Sequence, residues 1–156
     1  MRIKIILLVL LLGGCATPYQ EMGFSGGVIA QRMTTDTYRI VARGNAYTGA
    51  TAIQDYTLLK AAETTKQAGA THFAIISAAN ASRAGAVVIP GQAQTSIVGN
   101  TAYTTYTPAT AHNFIKPGQD TYIRVFTIPA GKSPPQGCLA ADEIIQFVGS
   151  RVKRPE

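Results

Sequence analysis

The chain predicts an α+β fold, an antiparallel sheet with one central helix and a C-terminal helix. Three stretches carry that expectation. Val28 to Met33 and Tyr38 to Arg43 are rich in β-branched or aromatic residues and are separated by Thr34-Thr35-Asp36-Thr37, the pattern of a hairpin. Thr51 to Ala68 places apolar residues at helical spacing and is closed by Gly69. Thr121 to Ile128 alternates Tyr122, Arg124, Phe126 and Ile128 with Ile123, Val125 and Thr127, a density of β-formers that marks a core strand.

The N-terminus fixes where such a fold would work. Arg2 and Lys4 precede a continuous apolar run from Ile5 to Leu12, the charge-then-hydrophobe order of an export signal. The run falls well short of the about 20 apolar residues a membrane-spanning helix needs, and Leu12-Gly13-Gly14-Cys15 reads as a lipobox. Two small residues let an extended backbone enter a peptidase groove, and the following cysteine offers the thiol that a diacylglyceryl group alkylates. Residues 1–14 are therefore expected to be a lipoprotein signal peptide, with Cys15 lipidated. Position 16 is Ala rather than Asp; by resemblance to lipoproteins of Gram-negative type, this sends the protein to the periplasmic face of the outer membrane.

Removing Arg2 and Lys4 lowers the formal charge from +6 to +4. The remaining excess gathers at Arg151, Lys153 and Arg154, without the density of a nucleic-acid footprint, and export also argues against nucleic acid. The anionic partners such a tail suits are lipid and glycan. With Cys15 lipidated, Cys138 has no partner for an internal disulfide, so the core must hold by packing. Residues 15–25 read as a lipidated tether, 26–152 as one domain and 153–156 as a basic tail.

Along the domain, Tyr38, Ile40 and Ala42 alternate with Arg39, Val41 and Arg43, leaving two guanidinium groups on the wetter face. That face is either simply solvated or a contact for an anionic ligand or partner through Arg39 and Arg43. In the helix, Leu58, Ala61, Ala62 and Thr65 share a side, widened by Ala52, Tyr56 and Leu59, and the alanines permit close approach to a sheet. Thr71 to Ala78 reads as a strand buried on both faces. Residues 80–118 then shift to Ala, Thr, Gly, Asn and Tyr with almost no charge. Val87 to Ile89 suits a short strand, and Gly99-Asn100 suits a hairpin turn between Thr95–Val98 and Thr101–Thr104; a mobile excursion is the competing reading. Leu139 to Val152 is expected to be a helix buried through Ala141, Ile144, Ile145, Phe147 and Val148, with Asp142 and Glu143 at its positive end and Arg151 at its negative end.

Catalytic signals are weak. Gly23-Phe24-Ser25-Gly26-Gly27 matches the Gly-x-Ser-x-Gly elbow, yet a strand follows where a helix is required, and Cys15 is too near for a preceding strand. His72 and His112 stand apart from any ligand at metal-binding spacing. Asn80-Ala81-Ser82 has the form of a glycosylation acceptor, an accidental match in a bacterial lipoprotein. Cys138, just before the second helix, is either a small buried hydrophobe or a free thiol activated by the helix dipole. No cofactor or metal is implied, and no enzyme is expected.

The succession Cys-Ala-Thr-Pro-Tyr-Gln from Cys15, Gly-Phe-Ser-Gly-Gly from Gly23, Arg43-Gly44-Asn45-Ala46-Tyr47-Thr48 and Leu58-Leu59-Lys60-Ala61-Ala62-Glu63 resembles a family of small proteobacterial lipoproteins of unknown function. The likeness spans residues 15 to about 79 and fades from Asn80 to Gly118. It implies the cell envelope and supplies no catalytic residues. The expected function is a non-catalytic interaction or scaffold module, held to the membrane by lipid on Cys15 and meeting an envelope protein or peptidoglycan. The alternative is a small-ligand or glycan-binding lipoprotein using the basic strand face.

Overall fold

Strands β1 (Gly27–Arg32) and β2 (Thr37–Arg43) form the expected hairpin, paired from Gly27↔Arg43 to Arg32↔Tyr38 in a computed structural model that describes residues 15–155. The signal segment 1–14 lies outside the described residues. Helix α1 (Ala50–Gln67) leads to β3 (His72–Asn80), and five further strands follow: β4 (Arg83–Ile89), β5 (Gln92–Val98), β6 (Thr101–Thr107), β7 (Thr110–Lys116) and β8 (Gly118–Phe126). A short β9 (Cys138–Ala140), α2 (Ala141–Phe147) and a 3-10 turn at Gly149–Arg151 end the fold. The central sheet has the order β1-β2-β8-β3-β9 with every neighbour antiparallel, so the α+β expectation holds.

One face of that sheet is the core. Val28, Ile40, Ala42, Phe73, Ile123 and Val125 are buried there, each two residues from the next inward position on its strand. Helix α1 lies over them through Ile53, Tyr56, Leu59, Ala61 and Ala62. Its buried threonines need not break the helix: Thr57 Oγ1 donates to the Ile53 carbonyl at 2.8 Å and Thr65 Oγ1 to that of Ala61 at 2.7 Å. Gly69, at φ 74°, supplies the left-handed residue that ends the helix.

Several sequence expectations need correction. Strand β3 is not buried on both faces; Phe73 is fully buried, but Ile75 and Ile76 are exposed, because β3 runs beyond the helix that covers its start. The second helix is shorter than Leu139 to Val152. Cys138 and Leu139 instead pair with Ala74 and Phe73 as an edge strand, and the Ala141 N–H bonds the Thr71 carbonyl at 3.0 Å. The edge of the sheet captures those residues before the helix begins. Phe147 is exposed rather than inward, while Ala141 and Val148 make the buried contact.

Residues 15–25 are not a free tether. Thr17 and Tyr19 are buried; the Thr17 N–H donates to Thr48 Oγ1 at 2.9 Å, and the Tyr56 hydroxyl donates to the Thr17 carbonyl at 2.9 Å. The Tyr19 ring meets Tyr56 edge-on at 5.5 Å, and its hydroxyl donates to Glu63 at 2.5 Å. Burial first, then that carboxylate, pushes the Tyr19 phenol well above its ordinary range. The basic tail is docked too. Arg151 forks onto Asp55 at 2.7 and 2.8 Å, and Arg154 bonds Glu63 at 2.8 Å while lying over the Tyr19 ring.

Ala62 is fully buried where α1 approaches the sheet. Ala62→Leu should destabilise the domain by about 1 to 3 kcal/mol, the cost of overpacking a close contact. A lower denaturation midpoint checks this; an unchanged one would place the residue outside the packed face.

Candidate functional site

The β3–β8 ladder does not stop at the end of the core. Its register shifts by one residue between Ile75 and Ser77, and from Ser77↔Tyr122 the same register continues through Arg83↔Lys116 and Gln92↔Thr107 to Val98↔Thr101. The 80–118 region is thus one long β-ribbon, an arm. Its hairpin turn is the expected Gly99-Asn100, with Gly99 at φ 64° and Asn100 at negative φ, as a type II′ turn requires. The ladder lapses twice: at Pro117, and where Pro90-Gly91 meets Pro108-Ala109, since proline has no N–H to donate. Beyond its root the arm has no third strand on either edge among the described residues.

Both faces of the arm are open. Val87, Val88, Ile89, Ile97, Val98, Tyr103, Tyr106 and Ile115 are all exposed, and Ala84 to Ile115 contains no Asp, Glu, Lys or Arg. Near the root, the Phe114 ring lies across Gly85, where any Cβ would come within 2.5 Å of it. That glycine is needed for the close approach. Farther out, Thr95 and Thr104 satisfy one another through a 2.9 Å hydroxyl contact.

Cations collect at the root. Arg83 and Lys116 are cross-strand partners and form no ion pair among the described residues, an arrangement of like charges that repels unless an anion comes between them. With Arg43, Asn45, Phe24 and Pro117 they line a groove of about 750 Å³. Cys15 is beside it. Its carbonyl accepts a 2.6 Å bond from Asn45 Nδ2, and the neighbouring Gly44 N–H bonds the Pro117 carbonyl at 2.8 Å. The proposed lipid site and the root of the arm therefore occupy the same end of the sheet.

Arg39 and Arg43 meet an internal anion. Asp120 on β8 stands opposite Val41, between them; Oδ2 accepts from Arg39 at 2.7 Å, and Oδ1 makes a 2.6 Å charge contact with Arg43. Arg43 also donates to the Ala42 and Gln119 carbonyls. Burial pushes the Asp120 carboxyl up, but Arg43 and Arg39 together outweigh that and hold it below its ordinary value.

The other candidates stay apart. Ser25 Oγ accepts from Gln20 Nε2 at 3.2 Å, with Gly26 and Gly27 at positive φ feeding strand β1 rather than a helix. His72 contacts Thr71 and stacks on Phe126, whereas His112 is out on the arm opposite Val87. Cys138 is half-buried on β9, its N–H bonded to the Pro135 carbonyl. No three metal-ligating side chains converge among the described residues.

Asp120→Asn should cost about 1 to 2 kcal/mol, between exposed and buried ion-pair values, since it leaves two guanidinium groups facing a neutral amide. Folding lowers the Asp120 pKa, so its contribution is fully present above the unfolded value of 3.8 and is lost as pH falls through the lower folded value. Denaturation midpoints should thus differ most between wild type and Asp120→Asn above about pH 5 and converge as pH falls below the unfolded value of 3.8. Asp36, lowered by its bonds from Thr34 and then Thr37, leaves the variant some acid sensitivity.

No protein-family model, curated protein or solved structure matches this chain.

Proposed function

We propose that this protein is a lipid-anchored envelope protein without catalytic function, acting as an interaction or scaffold module through its arm on the periplasmic side of the outer membrane. One observation carries the reading: an uncharged ribbon whose two edges are free among the described residues and whose apolar side chains are exposed on both faces. A two-stranded ribbon is marginal alone in water, and unprotected edges are templates for further strands. Such an element is completed by whatever it meets. Cys15, held beside the arm's root, supports attachment at that end.

The alternative, a small-ligand or glycan site on Arg39 and Arg43, has less support. Asp120 already engages both side chains, and the open groove instead offers Arg83 and Lys116 beside Arg43.

Cys15→Ala should abolish fatty-acid labelling and leave an uncleaved precursor. Normal processing or continued labelling of that variant would defeat the lipoprotein reading. Replacing residues 84–115 by a Gly-Asn turn should preserve labelling and remove the crosslinked species formed in intact cells. Crosslinks that persist unchanged would show that the arm is not the contact surface.

A further inference from the structure

The occupant of the arm's two edges follows from their chemistry. A single foreign strand would satisfy one edge and leave the other open. Identical ribbons placed side by side satisfy both, each ascending strand meeting the descending strand of the next copy, and a ring of them leaves no edge. Such a ring sets each hairpin against copies of itself. Charged side chains would bring repeated like charges around it, and Ala84 to Ile115 has none from Asp, Glu, Lys or Arg.

The arm also has the dimensions of a bilayer. Ala84 to Gly99 spans about 50 Å at the rise of a strand, and at a barrel tilt of roughly 40° this becomes about 38 Å, close to the thickness of a membrane with its headgroups. The outer part has the two-residue alternation of a membrane strand. Ala93, Thr95 and Ile97 with their partners Tyr106, Thr104 and Ala102 form one face; Gln92, Gln94, Ser96 and, beside the turn, Val98 with Thr107, Thr105, Tyr103 and Thr101 form the other. The Thr95–Thr104 bond satisfies the two hydroxyls on the more apolar face. Arg83 and Lys116 close the uncharged stretch at its root, beside Cys15, as headgroup-level cations of a crossing strand would. No described helix is long and apolar enough to cross a membrane, so a crossing within the described chain would have to use strands.

We infer that several copies of this chain pair their arms edge to edge into a closed β-barrel that crosses the outer membrane. Ala93, Ile97, Ala102 and Tyr106 face lipid; Gln92, Gln94 and Ser96 face the lumen. Closure is obligatory, because an open edge in hydrocarbon leaves backbone N–H and C=O groups without partners. The inference rests on the lipoprotein reading for its choice of membrane and for the level at which the root sits.

The experiment uses full-length protein purified from membranes, reconstituted into phospholipid vesicles holding a trapped dye. Wild type should run as an oligomer larger than a dimer after crosslinking and should release the dye. Ile97→Asp changes an exposed side chain of the isolated arm, so it should leave the domain folded, yet reduce release on the order of tenfold or more by placing a charge in lipid. Gln94→Asn, a neutral change on the lumen side, should stay within about twofold of wild type, since it places no charge either in lipid or around the ring. In a Cys138→Ser background, single cysteines at 92, 94 and 96 should react with a membrane-impermeant maleimide, and those at 93, 95 and 97 should be protected. A membrane-bound monomer, dye retention by wild type, equal loss in Ile97→Asp and Gln94→Asn, or equal labelling at both parities would each overturn the barrel. Fatty-acid label on Cys15 is measured in the same preparation. Labelled monomer defeats the barrel alone, whereas unlabelled protein with the alternating pattern defeats the lipoprotein reading and sustains the barrel.

Discussion

The antiparallel ladder between β3 and β8 is the constraint from which both halves of the molecule follow. Its inner end, with Phe73, Ile123 and Val125, is the centre of the core beneath α1. Its outer end becomes the arm without a change of partner. A single irregularity between Ile75 and Ser77 separates the two regimes, and it decides which side chains of the ribbon share a face. β8 also holds β2 on its other edge, so the Arg39–Asp120–Arg43 cluster is fixed by the same strand.

Local pattern made the hairpin, α1 and β8 legible, because each carries its own periodicity and turn residues. It failed where an element is defined by a distant partner. Leu139 has helical neighbours, but the edge of β3 claims it. Ile75 and Ile76 look like core residues from composition, yet no described element covers that part of β3. The pattern of β-branched residues records strand character, not what lies above the strand.

The site shows the same division. Arg39 and Arg43 were visible as two cations on one strand face; Asp120, far along the chain, could not be assigned to them without the β2–β8 register. Arg83 and Lys116 were missed, although a signal exists. Counting outward equally from the Gly99-Asn100 turn pairs Arg83 with Lys116, so extending the hairpin past Thr104 would have brought the cations together. Prolines at 90, 108 and 117 conceal this by interrupting the pattern at intervals. Exposure of the arm likewise follows from the lack of any layer over it among the described residues, a property no local run of residues encodes.

The packing of Thr17 and Tyr19 leaves the chain almost no slack after Cys15, whose carbonyl is itself held by Asn45. A loose ten-residue leash would let the domain swivel through many attitudes above a lipid surface. A lipid on a fixed Cys15 would instead set the sheet at one attitude and confine it to two dimensions. Rotational entropy would then be surrendered at anchoring rather than at encounter, and each copy would arrive beside the next already facing the right way.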